Sequence, residues 1–410
     1  MAEKRALDCF ASWSGLYANL EKSETYFGGV QPAVRQLIIS DSGFTAGTFP
    51  FRYLGIPMNT SRLSINDYAS LITKFQSYIH HWSSKLLSYA GRIQLINTVL
   101  FGLENFWCAC ILLPKGVIRL INRMCKDLFW NTTDTPHKLI FKSWSSITRP
   151  WKEGGFDVRE ILSWNKALIA KQLWLLHISE GGIWFNWVHK YCLRQNTIWD
   201  IHSQDSHSQS LRSVLQHALG LCTVAGAFSL TRAYELFRTR ATQVRGAAGL
   251  MGRGIVPSHA IITMMALQRK LPTVDAITRR GVIFVNRCVL CMNWQESHSH
   301  LFFKWSFSME VWKSLINWMS MRGRSCSLQQ QLCWISRNRK SRHWKAIWFK
   351  CSFATAVYHL WNERNCRIFR GTSRTTSQLA LFIKYVVAIK CLSSVSSRNY
   401  SLVVDALNGL

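Results

Sequence analysis

Acidic residues are scarce in this sequence of 410 residues, and no two aspartates are adjacent. Asp and Glu total 21 against 50 Lys and Arg, which gives a formal net charge of +29 and an isoelectric point near 10.0. Two-metal polymerase or nuclease chemistry needs clustered carboxylates to hold its ions, so no self-sufficient site of that kind is evident. Because the positive charge is spread along the whole chain, we expect a polyanionic partner, RNA or DNA.

Long apolar runs and a secretory signal are also lacking. The longest uncharged stretch, Ser213–Thr231, contains Gln216, His217 and several glycines, and is a poor span beside the roughly 20 apolar residues that a bilayer requires. No glycine-rich phosphate loop is present, and no small-molecule substrate is evident. Thirteen cysteines, an odd number, are scattered through the chain, which favours a reduced compartment. We therefore expect no membrane partner and an intracellular location.

The sequence does contain enough apolar residues for sizeable cores, at 48% of the chain, including 19 tryptophans. The segment Phe49–Asn59 is aromatic and β-prone and is closed by Gly55 and Pro57, which predicts a hairpin or a short sheet. From Ser64 onwards apolar residues recur at helical spacing, with Ser64 as the N-cap and Asp67 in the first turn. The sequence therefore predicts a mainly α fold with a small β-containing start.

Changes in composition along the chain suggest five regions. A β-containing start, with a strand-like segment at residues 25–27, covers residues 1–60, and a helical region with a basic outer face covers residues 61–195. A polar, serine-rich stretch begins at Asn196 and predicts a linker over residues 196–230. Residues 231–320 form a domain that contains a Cys- and His-rich stretch, and residues 321–410 form a helical extension.

The stretch from Cys288 to Trp305 has the residue types and spacing of a small zinc site. Cys288 and Cys291 form a C-x-x-C knuckle, and His300 follows after eight intervening residues, with His298 as an alternative imidazole. A C-x2-C-x8-H-x4-C pattern needs a cysteine at position 305, where this chain has Trp305, and an indole cannot replace a thiolate. Three alternatives remain for the fourth ligand. Both histidines bind the ion, or a distant cysteine, Cys326 or Cys333, supplies the fourth ligand, or the site is weak or lost.

Other chemistry fits this stretch less well. A redox C-x-x-C pair normally begins a helix within a βαβ unit, and that context is missing around Cys288. A cysteine protease needs a poised Cys–His pair, and nothing in the local sequence singles one out.

Several strings, in order along the chain, resemble the distal part of plant non-LTR (LINE-type) retrotransposon reverse transcriptases. The first group is SGLYANLEKSE, FRYLGIPMN, HWSSKLLSYAGRIQLINTVL, LLPK and WKEGGFDVREILSWNKALIAKQLW. The second group, AYELF, KLPTVDAITRRGV, CVLC with HSHLFFKW, and VYHLWNERNCRIF, resembles the zinc-binding domain that follows the polymerase in that family. Together the strings cover nearly the whole chain, and their combination is far more specific than any one of them.

The resemblance implies roles for particular residues. Lys22 matches the lysine that assists protonation of the leaving group, and FRYLGIP resembles the primer grip, which implies nucleic-acid contacts for Tyr53, Leu54 and Gly55. Residues from about Ser64 to Trp130 then correspond to the thumb, whose helices follow a nucleic-acid duplex through phosphate contacts. The residues we expect to make such contacts are Lys85, Arg92 and Lys115.

The resemblance also implies cofactors and a location. Zinc is the cofactor expected at Cys288, Cys291 and His300, at a site weakened by Trp305, whereas magnesium is expected only in a complete polymerase. The family's paired catalytic aspartates, which bind the metal ions, are expected upstream of SGLYANLEKSE, together with the fingers and an endonuclease. Because the family has to reach chromosomal DNA, a nuclear location is expected.

The hypothesis that follows is a catalytically incomplete fragment of a LINE-type reverse transcriptase, which retains RNA or DNA binding. A second hypothesis is a module retained by the host to bind nucleic acid or a protein partner. A third is an open reading frame without a selected function. The second hypothesis predicts a steep loss of nucleic-acid affinity with rising salt. Stable expression and a cooperative unfolding transition would argue against the third.

Overall fold

The fold is mainly helical, as the sequence predicted. The computed structural model is 66% helical and 4% strand. It describes residues 2–59, 63–83, 87–130, 140–178, 182, 186, 188–193, 223–224, 227–244, 246–250, 254–281, 287–288, 290–320, 337 and 344–393. Most of the predicted linker, Lys85, Cys326 and Cys333 lie outside these residues. Contacts divide the chain into two compact units, Met1–Tyr78 with Leu113–Ile121, and Ile79–Leu112 with Asn122–Leu410.

The first unit contains the predicted hairpin. Strand β3 (Phe51–Tyr53) pairs with β4 (Ile56–Met58) in antiparallel register, with Tyr53 opposite Ile56. Both residues of the connecting turn have positive φ, 51° at Leu54 and 86° at Gly55. Such a two-residue turn follows the natural twist of the strands and favours glycine. The prediction of a hairpin in this segment is confirmed.

Two helices and a second strand pair in the first unit were not predicted. Helix α1 is Ala2–Ser14 and α2 is Pro32–Ser42, and the two-residue strands β1 (Glu24–Thr25) and β2 (Thr45–Ala46) pair in parallel. The strand expected at residues 25–27 is therefore shorter and begins earlier. The sequence of α2 has the residues that typically begin and end a helix. Pro32 begins it, and Gly43, at φ 74°, ends it by donating its N–H to Ile39 O.

The helix expected after Ser64 forms with the expected start. A short 3-10 turn, Ile65–Tyr68, leads into α3 (Ala69–Ser83), and Asp67 accepts a hydrogen bond from the backbone N–H of Ser64 at 2.6 Å. The arrangement of Ser64 and Asp67 is a capping box, which satisfies backbone donors that the first turn leaves unpaired. The predicted N-cap is confirmed.

In the second unit, a continuous helical segment is formed by α4 (Tyr89–Leu95), a π-helical turn (Ile96–Leu100) and α5 (Phe101–Cys110). Helix α6 (Lys115–Trp130) contributes its residues up to Ile121 to the first unit and the rest to the second. After the short α7 (Trp144–Ile147), helix α8 (Ile161–His177) packs against α5. The buried Asn165 of α8 donates its amide to Cys108 O at 2.7 Å and Ile111 O at 2.9 Å. These bonds satisfy carbonyls that the end of α5 leaves without helical partners.

The connector between α7 and α8 is tied to the chain that follows the predicted linker. After the π-helical turn Val188–Leu193 come the strand pair β5 (Thr223–Val224) and β6 (Ala227–Phe228) and helix α9 (Leu230–Phe237), which packs on α8. Arg238 donates to both carboxylate oxygens of Glu153 at 2.6 and 2.9 Å, and both side chains are nearly buried. This bidentate pair joins the two segments.

The remaining helices precede, include or follow the Cys- and His-containing stretch along the chain. They are α10 (Ala247–Leu250), α11 (Pro257–Leu267), α12 (Val274–Thr278), a π-helical turn (His300–Lys304), α13 (Ser306–Trp318), α14 (Trp344–Phe369) and α15 (Thr376–Leu392). Helix α14 is central, because it contacts α11, α13 and α15. Among the helices that the structure describes, none combines the length and apolar character needed to cross a bilayer.

Candidate metal centre

A tight loop brings the two cysteines of the knuckle together. The backbone N–H of Cys288 donates to Trp294 O at 2.7 Å, and that of Met292 donates to Cys288 O at 2.9 Å. Met292 has a φ of 57°, so the chain reverses direction immediately after Cys291. The hydrogen bonds close the loop, and the two thiols lie within reach of one ion.

The structure brings together Cys288, Cys291 and His300. Their ligand atoms all lie within 4.8 Å of one another, and Cys291 Sγ is 3.4 Å from His300 Nε2. Tetrahedral zinc with ordinary bond lengths places a sulfur and a nitrogen ligand about 3.5 Å apart. The spacing and the donor types therefore fit zinc. His300 begins the π-helical turn that precedes α13, so the helical chain orients its ring.

The surroundings favour the metal-binding form of Cys291 and of His300, whereas burial at Cys288 favours the neutral thiol. Burial raises the pKa of the Cys288 thiol. Burial acts in the same direction at Cys291, but hydrogen bonds from the backbone amides of Asn293 and Trp294 to its sulfur bring the pKa below its ordinary value. Burial also lowers the pKa of His300, which keeps the imidazole neutral and able to donate an electron pair.

Trp305 belongs to the packed interior. It is 4% exposed, its ring stacks on that of Phe307 with centroids 4.7 Å apart, and the guanidinium of Arg367 lies 5.2 Å from the Trp305 ring. Among the described residues the metal-binding group contains three protein ligands. Three ligands leave one position of a zinc tetrahedron open to water or to another ligand.

His298 lies outside this group. Its Nε2 accepts a hydrogen bond from the backbone N–H of Leu271 at 3.3 Å, and its Nδ1 is 3.4 Å from the hydroxyl of Thr273. Burial lowers the pKa of His298 to about 4, so it is neutral at physiological pH. Both ring nitrogens of His298 therefore have polar partners within the protein. The structure does not bring His298 to the thiols as the alternative ligand.

A buried ion pair, which the sequence did not reveal, fixes the chain beside His300. Glu296 and Arg364 are 2.7 Å apart with side chains 0% and 6% exposed, and Glu296 Oε1 also accepts from the backbone N–H of Val274 at 2.9 Å. The pair joins the metal-binding stretch to α14. Glu296 and Arg364 are 68 residues apart in the sequence, so no local sequence pattern predicts the ion pair.

The residues expected to contact nucleic acid differ in how exposed their side chains are. Lys22 is exposed beside a turn in which its backbone N–H bonds to Asn19, and Tyr53 and Leu54 are 63% and 72% exposed at the tip of the hairpin with Gly55. Lys115 is exposed in the first turn of α6. Arg92 instead donates to Phe129 O at 3.0 Å, and burial lowers its pKa. Its guanidinium is therefore partly used by the fold.

Comparison with known proteins gives two matches. Residues 228–312 match the family described as zinc-binding in reverse transcriptase, and this range contains Cys288, Cys291, His300 and Trp305. The chain is also 30% identical over 129 residues to a protein of Arabidopsis thaliana named "Putative ribonuclease H protein". That similarity covers 32% of this chain and 21% of the relative, so the chain matches about a fifth of the relative's length. These matches support a reverse-transcriptase-related protein that carries a zinc-binding domain of the kind found in reverse transcriptases.

Proposed function

We propose that this chain is a nucleic-acid-binding part of a LINE-type reverse transcriptase, folded in part around a zinc ion. The observation that carries the proposal is the group of Cys288, Cys291 and His300 inside the matched segment, with spacing that fits zinc. The net charge of +29 supports a polyanionic partner, RNA or DNA. The relative's name and the family description both concern enzymes of nucleic acids.

The proposed role of zinc is structural. Two thiolates and one imidazole from a closed loop and the following π-helical turn would hold the ion, and binding energy of this kind contributes directly to folding. The ion would fix the loop against the chain that begins α13. It would supply no catalytic step in this proposal.

The proposed nucleic-acid contacts lie in the hairpin and the basic helices. Tyr53, Leu54 and Gly55 form an exposed tip that suits contact with a strand end, and the exposed ammonium group of Lys115 suits contact with a phosphate. Lys22 is accessible for the leaving-group role, but phosphoryl transfer also needs metal-bound carboxylates. Since the sequence has no Asp-Asp pair, we propose that the chain by itself does not polymerise DNA.

Salt-dependent binding tests the proposal. Labelled RNA and DNA are titrated with the full chain between about 50 and 200 mM salt, where several phosphate contacts predict a fall of affinity by orders of magnitude. A linear fall of log affinity with log salt is expected. Affinity that stays flat across this range, or no binding at low salt, contradicts the proposal, and primer extension with magnesium and deoxynucleotides contradicts the absence of polymerase activity.

A further inference from the structure

The last two described helices and their connecting loop line a cleft of about 750 Å³. Its walls come from the end of α14, the loop after it and the start of α15. Polar, cationic and aromatic side chains all face it: Asn362, Asn365, Phe369, Arg370, Arg374 and Phe382. The cleft lies outside the matched segment 228–312, and none of the three candidate metal ligands lines it.

The loop that closes the cleft is held in one conformation. Glu363 is 3% exposed, and its Oε1 accepts hydrogen bonds from the backbone N–H of Arg374 at 2.8 Å and from Arg367 Nε at 2.9 Å. Arg367 also donates to Arg374 O at 2.9 Å. A capping box between Thr375 and Gln378 then starts α15. The carboxylate of Glu363 is therefore neutralised by its partners, and little rearrangement is needed before a ligand binds.

Two cations of the cleft are available to an anion. Arg370 and Arg374 are exposed, and neither forms an ion pair with any carboxylate in the part of the chain that the structure describes. The guanidinium of Arg374 lies 5.0 Å from the ring of Phe382. This contact orients the charge without neutralising it. Arginine in this state suits the oxygens of a phosphate.

Two exposed aromatic rings also line the cleft. Phe369 is 75% exposed and Phe382 is 40% exposed. An exposed ring next to arginines matches the way proteins bind unpaired nucleotides, because a base stacks on the ring while its phosphate meets the cation. The amides of Asn362 and Asn365 add groups that both donate and accept hydrogen bonds, as the edges of bases do.

We propose that this cleft binds a single-stranded segment of RNA or DNA, with a base stacked on Phe369 or Phe382 and phosphates at Arg370 and Arg374. A duplex keeps its bases stacked inside, so it cannot use the rings. The proposal names the form of nucleic acid and its place on the chain, and it rests on the nucleic-acid binding proposed above. The paired cations favour a nucleic acid over an apolar peptide.

A matched pair of double variants of the full chain tests the cleft. Phe369→Ala/Arg370→Ala removes one exposed ring and one exposed cation from it, while Arg5→Ala/Phe10→Ala removes the same residue types from the exposed surface of α1. The probes are a short labelled single strand of about 10 nucleotides and its duplex. The cleft variant is expected to bind the single strand roughly tenfold more weakly, with duplex binding unchanged, and the α1 variant is expected to resemble the wild type.

The outcomes separate the two proposals. Equal single-strand affinity in the cleft and α1 variants overturns the cleft alone, and so does an equal loss of single strand and duplex in the cleft variant. Failure of the wild-type chain to bind either form overturns the proposed function and the cleft with it. A second measurement needs no variant, because photocrosslinking of 4-thiouridine RNA is expected to label residues 359–382, and crosslinks confined to other segments overturn the cleft.

Discussion

At the scale of single residues, two neighbouring histidines that the sequence offers as zinc ligands have different roles. His298 and His300 are two positions apart, yet His300 faces the thiol of Cys291 and His298 faces the backbone of Leu271. In a helical stretch, residues two apart do not share a face, so both rings could not reach one ion. The spacing thus allowed two candidates, and the local helical geometry selects one.

Replacement of Trp305 by cysteine tests the open ligand position. Trp305→Cys places a thiol at the fifth residue after His300, so we expect tighter zinc binding, measured by competition with a chromophoric chelator. The lost indole leaves a cavity beside Phe307, and the zinc-free variant is expected to lose about 3 kcal/mol of stability or more. Trp13→Cys adds a thiol at an 83% exposed position and serves as the control. Equal, tight stoichiometric zinc binding by wild type and Trp305→Cys would show that the indole costs the site no ligand.

The buried His259 predicts a loss of stability in acid. Burial, helped by His359 and Lys390, lowers its pKa to about 3, and its Nδ1 lies 3.2 Å from the hydroxyl of Thr355. In the unfolded chain the His259 imidazole is protonated with a pKa near 6.5, well above its pKa in the folded chain. The stability that neutral His259 contributes is therefore complete above about pH 6.5 and falls as the pH is lowered toward 3. At pH 4.5 the loss is about 2–3 kcal/mol.

Urea unfolding of the zinc-free protein at several pH values measures this loss without a contribution from metal release. His259→Gln cannot titrate, so its stability is expected to fall less steeply between pH 6.5 and 4.5. The same slope in the variant and the wild type would contradict the assignment to His259.

At the scale of elements, helix α14 organises the second unit by contacts that reach across the chain. The helix packs against α11, α13 and α15, and its Arg364 pairs with Glu296 beside the metal centre. Among the described residues, none is a hydrogen-bond partner of the buried Glu296 Oε2 or of the buried Arg364 Nε. Such a pair contributes little net stability while intact, but removal of one partner leaves a buried charge alone.

A double-mutant cycle measures this coupling. Arg364→Met is expected to cost about 3–5 kcal/mol because Glu296 is left uncompensated, and Glu296→Gln combined with Arg364→Met is expected to recover part of that cost. Urea unfolding provides the free energies. Arg279→Met is the matched control, since its pair with Asp275 is 62% exposed on the arginine side, and less than about 1 kcal/mol is expected there. Additive effects of the two single changes would show that the pair is not coupled.

At the scale of the whole molecule, the candidate metal centre lies in the second of the two compact units, and the predicted hairpin lies in the first. A ligand that binds the folded state better than the unfolded state stabilises the part of the chain that it holds together. Zinc is therefore expected to act on the segments that contact its ligands.

Hydrogen exchange with and without zinc measures where the stabilisation goes. Added zinc is expected to slow exchange in residues 287–305 and in α14, which the ion pair and packing join to the site, and to leave residues 2–59 unchanged. Cys291→Ser removes one ligand and is expected to abolish the effect. Protection spread evenly over the chain, or retained in Cys291→Ser, would contradict zinc binding at this site.

The sequence by itself determined features that depend on neighbouring residues. The mainly α class, the hairpin around Leu54 and Gly55 and the capping box at Ser64 all follow from local preferences of the chain. The proximity of Cys288, Cys291 and His300 belongs here as well, because a closed loop and one helical turn separate them. Helices α1 and α2 were missed although both have a glycine stop signal, since Gly15 at φ 71° ends α1 by donating its N–H to Ala11 O and Gly43 ends α2. Helix α2 also has a start signal in Pro32.

Only the tertiary structure decided which side chains are available for function. Arg92 reads as a surface cation, yet it bonds to Phe129 O from another helix. The Glu296–Arg364 pair and the cleft between α14 and α15 likewise depend on packing between elements, the pair joining residues far apart in the chain. Burial and long-range packing follow from the cooperative fold as a whole, so no window of the sequence contains them.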